Sequence, residues 1–332
     1  MAPEDVEDVT DLTDLADEDL AEKLGNGAIA GTDPQPGTLY VVGTPIGNLE
    51  DMTYRSVRIL GAVDAIAAED TRRTGRLLAH FQIKTPQIAC HEHNQIKRIP
   101  DLLERLRRGQ AIALVSDAGM PGISDPGVPL IQACIDAGFT VVPVPGACAA
   151  IAALCGSGLA TDRFTFEGFL PVKGADRRDR LSAIAQEPRT QILYEAPHRL
   201  LATLRDLREI CGDDRAIVIA RELTKRHEQF WRGPLVEAVR QWQRAADGLP
   251  PEPHPEPGSQ TPPVLKGEFV LVLAGAPCDR AEAIDDDTLT KELKTLIAQG
   301  RSPSAASKEL AKARSLPRKR LYDLSLRLGD GG

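Results

Sequence analysis

Short apolar runs, many of them β-branched, alternate with amphipathic segments from residue 37 onward. The apolar runs are 39–43, 65–68, 87–91, 111–116 and 140–143. The segments between them (53–62, 73–81, 96–108 and 128–137) have helical spacing and are long enough to join parallel strands. Strands that are apolar at nearly every position are typical of a sheet buried on both faces. The pattern predicts an α/β domain with a mostly parallel sheet, whose ligands would lie at the carboxyl ends of the strands.

A second series of apolar and amphipathic segments follows residue 158. It predicts strands at 164–169, 190–194, 216–221, 228–232 and 269–273, and helices at 176–185, 197–210 and 234–242. The alanine-rich segment 145–158 predicts a helix that closes the first domain. Seven prolines within 247–264 are incompatible with a packed element and predict a flexible insert. The second series therefore predicts a second α/β domain.

Charge is distributed unevenly along the chain and refines this division. Residues 1–36 contain eleven acidic residues and one basic residue, whereas residues 288–328 contain ten basic and three acidic residues. An acidic segment poor in aromatic residues is expected to be disordered. We therefore predict a disordered acidic extension (1–36), two α/β domains (37–158 and 159–276), a linker (277–287) and a basic helical module (288–328). A basic module suits either a polyanion or a solvated surface.

Several functional classes are not supported by the sequence. The six cysteines form no CxxC pair and no Cys/His spacing typical of zinc. Motifs of the forms GxGxxG, GxxxxGK[ST], HExxH and GxSxG are absent. No apolar run approaches the ~18 residues of a membrane span, and the acidic start is unlike a signal peptide. We expect a cytoplasmic protein that binds no metal.

Turn-forming and charged residues cluster where the predicted strands of the first domain end. The clusters are VGTPIGN at 42–48, AEDTRR at 68–73, CHEHN at 90–94 and VSDAGMPGISDPGVP at 115–129. Glycine allows close backbone approach to a ligand, carboxylates accept protons, and arginines hold phosphate. Each cluster alone is also compatible with a structural role: Asp70 and Asp125 suit helix caps, and His91 and His93 suit a surface pair.

Two similar clusters, LYEAPHR at 193–199 and ARELTK at 220–225, end strands of the second domain. Together with GTLYVVGTPIGNLEDMT, AAEDTRRTGRLL, CHEHN, LVSDAGMPGISDPG and VPGACAA, they resemble, in order, the ribosomal RNA small subunit methyltransferase I family. The resemblance extends over about residues 37–273, and the basic tail resembles a helical extension of that family. The acidic extension and the proline-rich insert have no counterpart in it.

The resemblance implies two α/β domains of the tetrapyrrole methylase type, with S-adenosylmethionine in the cleft between them. It implies 2′-O-methylation of a cytidine ribose, at position 1402 of 16S ribosomal RNA within the 30S subunit, by a homodimer. It assigns donor binding to Pro45, Asp117, Ala118, Gly119, Met120, Pro121, Ile123, Ser124, Ala147, Cys148, Tyr194, Glu195, Ala196, Glu222, Leu223 and Glu268. Met120 stands where relatives carry an acidic residue, and Asp117 is the candidate to replace that acid.

Methylation of a ribose hydroxyl requires a group that takes its proton. The candidates on adjoining strand ends are Glu69, Asp70, His91, Glu92 and His93. We predict that Glu69, Asp70 and His93 are catalytic, the two carboxylates as proton acceptors and His93 by positioning the nucleotide. Substrate binding is predicted for Arg72, Arg73, His91, Asn94, Lys319 and Arg320. Lysines and arginines of the tail would neutralise phosphates, so RNA binding should weaken with salt.

Two other functions remain open at this point. A methyltransferase of precorrins or uroporphyrinogen would share the fold, but it would have no use for a basic tail and should carry the acid that Met120 replaces. A non-catalytic ribosome assembly factor would use the tail, but it would not need a donor cradle. Binding of the donor distinguishes the second alternative from both enzymes.

Overall fold

The computed structural model describes residues 34–250, 265–277, 286–314 and 318–328. The acidic extension up to residue 33, most of the proline-rich insert and most of the linker lie outside the described residues, so their predicted flexibility stays a prediction. The side chains of residues 287, 312, 318 and 319 also lie outside the description.

The first sheet contains five parallel strands in the order β3-β2-β4-β1-β5. Its strands are β1 (Thr38–Val42), β2 (Ala65–Ala68), β3 (Gln87–Ala89), β4 (Ile112–Val115) and β5 (Thr140–Val144). The helices that follow β1 to β4 are α1 (Tyr54–Ala62), α2 (Thr71–His80), α3 (Gln95–Arg107) and α4 (Val128–Asp136). All five predicted strands and the four helices are present, and the parallel sheet is confirmed.

Alternation along β1 shows how the helices cover this sheet. Tyr40 and Val42 pack in one core with side chains of α1 and α2, whereas Leu39 and Val41 pack in another with side chains of α3 and α4. Successive strand residues point to opposite faces, so α1 and α2 share one face and α3 and α4 the other. Covering both faces leaves the carboxyl edge of the strands open for a site.

The second sheet is mixed and has the order β6-β7-β10-β8-β9. Its strands are β6 (Phe164–Phe169), β7 (Thr190–Glu195), β8 (Ala216–Arg221), β9 (Gln229–Pro234) and β10 (Phe269–Leu273). The last strand is inserted between β7 and β8 and is antiparallel to both. Helices α6 (Ala175–Gln186), α7 (Leu200–Cys211) and α8 (Leu235–Ala246) belong to this half. The predicted fold, two α/β halves of the tetrapyrrole methylase type, is confirmed.

Helix α5 (Ala149–Ser157) differs from the expectation that it closes the first domain. Ala150, Ala153 and Leu154 pack against Val218 and Val270 of the second sheet instead. Most positions of α5 are small or apolar, so its sequence does not specify which neighbour covers it. The helix therefore connects the halves and packs against the second sheet.

Three helices, α9 (Asp286–Ala298), α10 (Pro303–Arg314) and α11 (Arg318–Arg327), form a helical unit in the region predicted as the basic helical module. They enclose a small core of Leu289, Leu293, Ala306, Leu310, Leu321 and Leu324. Within the described ranges, no helix is both long enough and apolar enough to traverse a lipid bilayer.

Candidate functional site

A cavity of about 290 Å³ lies in the cleft between the two halves. Ten of the predicted donor-binding residues line it: Ala118, Gly119, Met120, Ile123, Ser124, Cys148, Tyr194, Glu195, Ala196 and Glu268. Six other lining residues were not predicted to bind the donor: Ile46, Asp125, Ala149, Phe169, Pro197 and Val270. Because the lining is mostly apolar with a few carboxylates, the cavity suits a ligand with a flat apolar part and cationic groups.

The remaining predicted donor-binding residues lie around this cavity without lining it. Pro45 and Asp117 border a second cavity of about 260 Å³, together with Arg73. Pro121 is buried and Leu223 belongs to the core under the second sheet. Ala147 directs its carbonyl oxygen toward Gly119, and Glu222 pairs with a lysine. Of the residues predicted to bind the donor, some therefore line the cavity and the others hold the surrounding loops in place.

Backbone contacts between three strand-end loops build the floor of the cleft. The amide of Thr44 donates to the carbonyl of Gly119 at 2.9 Å, and the reverse bond is 3.0 Å long. A Cβ at Gly43 would lie 2.7 Å from the Cα of Gly146, so glycine is required on both sides. Gly119 has φ +82, and a Cβ there would lie 3.3 Å from the Ala147 carbonyl oxygen. Close backbone approach thus creates the cradle.

Backbone strain is concentrated at the cleft. Ser124, Glu222 and Thr224 are non-glycine residues with φ between +52 and +65. Ser124 lines the cavity, and its hydroxyl would lie 3.3 Å from a Cβ at Gly168 of β6. The amide of Glu222 donates to the carbonyl of Glu268, another lining residue. Such conformations persist where the surroundings hold them, and they cluster at functional sites.

Glu69, Asp70 and Asp117 form a hydrogen-bonded network at the ends of β2 and β4. The amide of Asp117 donates to Oε2 of Glu69 at 3.0 Å, and the amide of Asp70 donates to Oδ1 of Asp117 at 3.0 Å. Arg73 lies 3.3 Å from the other oxygen of Asp117. Two neighbouring strand ends therefore hold two carboxylates in fixed positions, with one guanidinium beside them.

The carboxyl groups of this region differ in protonation because their surroundings differ. Burial raises the pKa of Glu69, and the nearby Asp117 carboxylate adds to the rise. Burial and the charge of Glu69 raise the pKa of Asp125 to about 6, against a hydrogen bond from Ser116. Carboxyls with raised pKa values near a cleft are candidates for proton transfer.

Asp70 occupies the helix-capping position that the sequence left open as an alternative. Its Oδ1 accepts from the amide of Arg72 at 2.8 Å, and the guanidinium of Arg72 donates to both carboxylate oxygens. These hydrogen bonds hold the pKa of Asp70 well below its usual range. A carboxylate held in this way is a weak proton acceptor. Its predicted catalytic role stays a prediction.

The cluster at 90–94 lies at the end of β3, the edge strand beside β2. Asn94 closes this turn by accepting from the amide of His91 at 2.8 Å and donating to the carbonyl of Ala89 at 3.1 Å. The rings of His91 and His93 lie 6.0 Å apart, edge to face. Over the described residues no group of His, Cys, Asp or Glu side chains has the geometry of a metal site. Asn94 therefore shapes the loop that presents the two histidines.

On the second-domain side, hydrogen bonds fix the cavity wall. The hydroxyl of Tyr194 accepts from the amide of Ala150 at 3.1 Å, and burial raises its pKa. Glu195 is buried, and its oxygens accept from the amide of Ala196 at 2.8 Å and from the hydroxyl of Thr203 at 2.5 Å. The Nε of Arg199 lies 3.4 Å from Oε1 of Glu195. Both side chains therefore shape the wall, with their polar atoms already satisfied.

The sequence interpretation of Asp125 as a cap of the next helix was wrong. Helix α4 begins at Val128, and Gly127 occupies its cap position. Asp125 instead lines the cavity, within a loop whose density of glycine, proline and aspartate was the signal for function. The aromatic lining residue Phe169 carried no such signal, because its sequence surroundings are those of an ordinary strand.

The substrate-binding residues predicted in the tail lie on the separate helical unit. Arg320 pairs with Asp286 at 2.7 Å, and the side chain of Lys319 lies outside the described residues. Their predicted contact with substrate stays a prediction.

Comparison with known proteins places the chain among methyltransferases. The family model described as tetrapyrrole (corrin/porphyrin) methylases matches residues 38–239. The ribosomal RNA small subunit methyltransferase I of Synechocystis sp. (strain ATCC 27184 / PCC 6803 / Kazusa) is 54% identical over 89% of this chain and 100% of that protein. The protein of the same name from Escherichia coli O157:H7 is 45% identical over 84% of this chain and 91% of its own length.

Among solved structures, a cobalt precorrin-4 methyltransferase of cobalamin biosynthesis has a TM-score of 0.51 and 15% identity, covering 72% of this chain and 95% of its own. At this identity the likeness concerns the fold alone. It agrees with the two sheets and the cleft described above.

Proposed function

Because the chain is a methyltransferase of the ribosomal RNA small subunit methyltransferase I family, we propose that it transfers a methyl group from S-adenosylmethionine to RNA. The acceptor is the 2′-oxygen of a cytidine in 16S ribosomal RNA, at position 1402. We propose the cytoplasm as its location, because the proposed substrate is ribosomal RNA.

The observation that carries this proposal is the pair of cavities on either side of one loop contact. The bridge between Thr44 and Gly119 separates them: Gly119 borders the mostly apolar cavity between the halves, and Thr44 borders the charged one. The charged cavity contains Asp117 and Arg73. Two adjacent sites of different polarity suit a transfer between two bound molecules, which must be aligned and shielded from water.

The residues of the apolar cavity fit S-adenosylmethionine, which supplies a methyl group on a positively charged sulfur. An added Cβ at Gly119 would occupy the space inside this turn, so the backbone itself forms the cradle. Ile46, Met120 and Phe269 provide apolar walls for a flat base. Asp125 provides a carboxylate for a cationic group of the donor.

Glu69 is the best-placed proton acceptor for the ribose hydroxyl in this proposal. Its carboxylate is half-buried and fixed by the amide of Asp117, which itself borders the charged cavity. Its raised pKa makes it a stronger acceptor than the capping carboxylate of Asp70. His93 is proposed to position the nucleotide from the neighbouring strand end.

The proposal is tested by methyl incorporation from labelled S-adenosylmethionine into unmodified 30S particles and naked 16S RNA, with the modified nucleotide mapped. Label on the 2′-oxygen of one cytidine is expected. In the same assay Glu69→Gln should lower kcat by at least about a hundredfold, as for loss of a general base. Asp70→Asn should act mainly through helix stability.

The affinity of both variants for the donor, measured by calorimetry, shows whether a loss of activity comes from weaker donor binding or from a slower chemical step. Absence of label with donor binding intact would overturn the RNA substrate. Full turnover of Glu69→Gln would overturn its assignment as the acceptor while leaving the substrate in place.

The assembled 30S subunit is proposed as the substrate, because the helical unit adds basic residues outside the two α/β halves. Lys291, Lys294, Lys308 and Arg327 are basic positions of α9, α10 and α11. Few aromatic side chains are available to stack bases, so recognition depends on shape and phosphate contacts.

A homodimer is proposed from an exposed apolar strip on the second half. Phe164, Phe166, Phe169 and Val172 are exposed along and just beyond β6. Strand β6 is the edge of its sheet, and such edges are normally covered or charged. Several exposed large apolar side chains along a sheet edge that no other described strand pairs with are typical of an interface. A second copy of the chain is the proposed cover.

A further inference from the structure

An open groove of about 950 Å³ runs along the outside of the cleft. We call it the flank groove and define it by Gly47–Glu50 at its floor, His80 and Phe81 on one wall, and Thr224–Arg226 on the other. The floor residues Gly47 and Leu49 also border the charged cavity that contains Asp117 and Arg73. The flank groove is therefore continuous with the proposed nucleotide site and spans both halves of the protein.

The first wall of the groove belongs to a strongly basic face. Helices α1 and α2 lie on the same face of the sheet and contain no acidic residue. Their basic residues are Arg55, Arg58, Arg72, Arg73, Arg76 and His80. Arg73, Arg76 and His80 are spaced three and four residues apart, so they share one side of α2. Arg73 borders the charged cavity, and His80 borders the groove.

The second wall is a rigid loop of the other half. Thr224 has φ +65, and its amide donates to the carboxylate of Glu228. Lys225 is fixed by Glu222 at 2.9 Å and Glu268 at 3.0 Å, which neutralises its charge. Arg226 is exposed at the groove and carries the positive charge of this wall. Fixing the loop in this way keeps Arg226 opposite α2.

Gly47 brings the two walls to this separation. A Cβ at Gly47 would lie 2.9 Å from the hydroxyl of Thr224 and closer still to the side chain of Lys225. The groove floor, which belongs to the first half, is therefore in direct contact with the loop of the second half. The groove is a product of contact between the halves.

We propose that the flank groove holds the RNA strand adjacent to the target nucleotide, through phosphate contacts with Arg226 on its second wall and with Arg76 of the adjoining charged cavity. The inference rests on the proposed function and deepens it. A nucleotide bound beside Asp117 is part of a chain, so its neighbours must leave the charged cavity. The flank groove is continuous with that cavity. Arg76 at the cavity and Arg226 at the groove form no ion pair with any described acidic residue, and their guanidinium groups match a phosphate backbone. The floor carries one acidic side chain, Glu50.

The test compares full-length Arg76→Ala, Arg226→Ala and the double variant with Arg107→Ala. Arg107 lies on α3, on the opposite face of the first sheet, and its removal changes the net charge equally. Methyl transfer to unmodified 30S particles is measured as KM and kcat over a range of salt concentrations. Donor affinity is measured in parallel by calorimetry, and thermal melting checks folding.

Each single variant is expected to raise the KM for 30S particles by about threefold to tenfold and to reduce the slope of log KM against log salt by about one. The double variant should combine both effects, with kcat and donor affinity unchanged. Arg107→Ala should stay within about twofold of the parent, since it makes no contact with RNA.

An unchanged KM and salt slope in the double variant would overturn the flank groove while leaving the proposed function intact. A change in the molecular mass of the double variant, with an unchanged KM, would also overturn the flank groove, because it would show that this surface binds protein and not RNA. Failure of the parent enzyme to methylate any ribosomal RNA would instead be a failure of the proposed function.

Discussion

At the scale of single residues, the carboxylates at the strand ends divide by environment. Asp70 caps the N-terminus of α2 and pairs with Arg72, so its carboxyl group stays ionised over the whole physiological range. Glu69 and Asp125 are partly buried and repel each other, so their protonated forms are favoured. Neighbours, and not residue type, therefore decide which carboxyl can exchange a proton near neutral pH.

This division predicts a pH-dependent stability effect at Asp125. Its pKa is about 6 in the folded chain, against 3.8 for the free side chain. Below about pH 4 both states are protonated and the group costs nothing. Between about pH 4 and 6 the unfolded chain loses its proton first, so the stability of the folded state falls as pH rises. Above about pH 6 this destabilisation has reached its full value.

Asp125→Asn should therefore stabilise the protein at pH 7.5 by about 1 kcal/mol, a figure reduced for partial solvent screening, and have little effect at pH 4. The measurement is the midpoint of thermal unfolding of both proteins, without donor, at the two pH values. Equal gains at pH 4 and pH 7.5 would contradict the assigned cause.

At the scale of elements, the cleft depends on the loops after β1 and β5 packing backbone against backbone. Gly43 and Gly146 approach so closely that an added Cβ on either would meet the Cα of the other at 2.7 Å. A Cβ at Gly43 would also lie 2.6 Å from the sulfur of Met120, a lining residue of the donor cavity. Stability and the shape of the cavity are therefore linked at this contact.

Gly43→Ala should lower the free energy of unfolding by about 1–3 kcal/mol through overpacking. It should also weaken donor binding by at least about tenfold, because Met120 must move. Denaturant unfolding and calorimetry measure the two effects. Gly61→Ala is the matched control: it lies in α1, where an added Cβ has its nearest neighbour at 3.9 Å.

The control is expected to retain donor binding and to gain slightly in stability, since alanine is the better helix former. If Gly43→Ala bound the donor as well as the control does, the cradle would not depend on this backbone contact.

At the scale of the whole molecule, each half contributes one side of the donor cavity and one wall of the flank groove. The donor cavity lies between the sheets, the flank groove has one wall from each half, and the apolar strip on β6 borders the cavity through Phe169. Contact between the halves therefore controls binding of donor and RNA alike. Covering β6 with a second copy would add rigidity beside the cavity.

The whole-molecule prediction concerns that second copy. The parent protein should have the mass of a dimer in light scattering at micromolar concentration. Phe164→Ser combined with Val172→Ser should shift it toward the monomer, because both residues are exposed and neither lines the cavity. Ile135→Ser, at an exposed apolar position of α4, should leave the dimer intact. A monomeric parent at every concentration would rule the interface out.

Local pattern was sufficient for most elements of this protein. The strands Ala65–Ala68, Ala216–Arg221 and Phe269–Leu273 lie where their apolar runs predict them. Helix boundaries shifted by up to four residues, because caps such as Asp70 begin a helix earlier or later than its apolar spacing suggests. The clusters at strand ends were also visible, since turns and charges interrupt apolar runs locally.

Tertiary structure decided what depends on residues far apart in the chain. The position of β10 between β7 and β8, the packing of α5 on the second sheet and the meeting of Glu69 with Asp117 all join distant segments. Asp125 looked like a helix cap because its sequence neighbours fit one, and only the closed loop directs it into the cavity. The elements, the order of their polar ends and the family resemblance follow from neighbours along the chain, so the amino-acid sequence alone specifies them. The walls of the sites follow from contacts between the halves, and those exist only once the chain has folded.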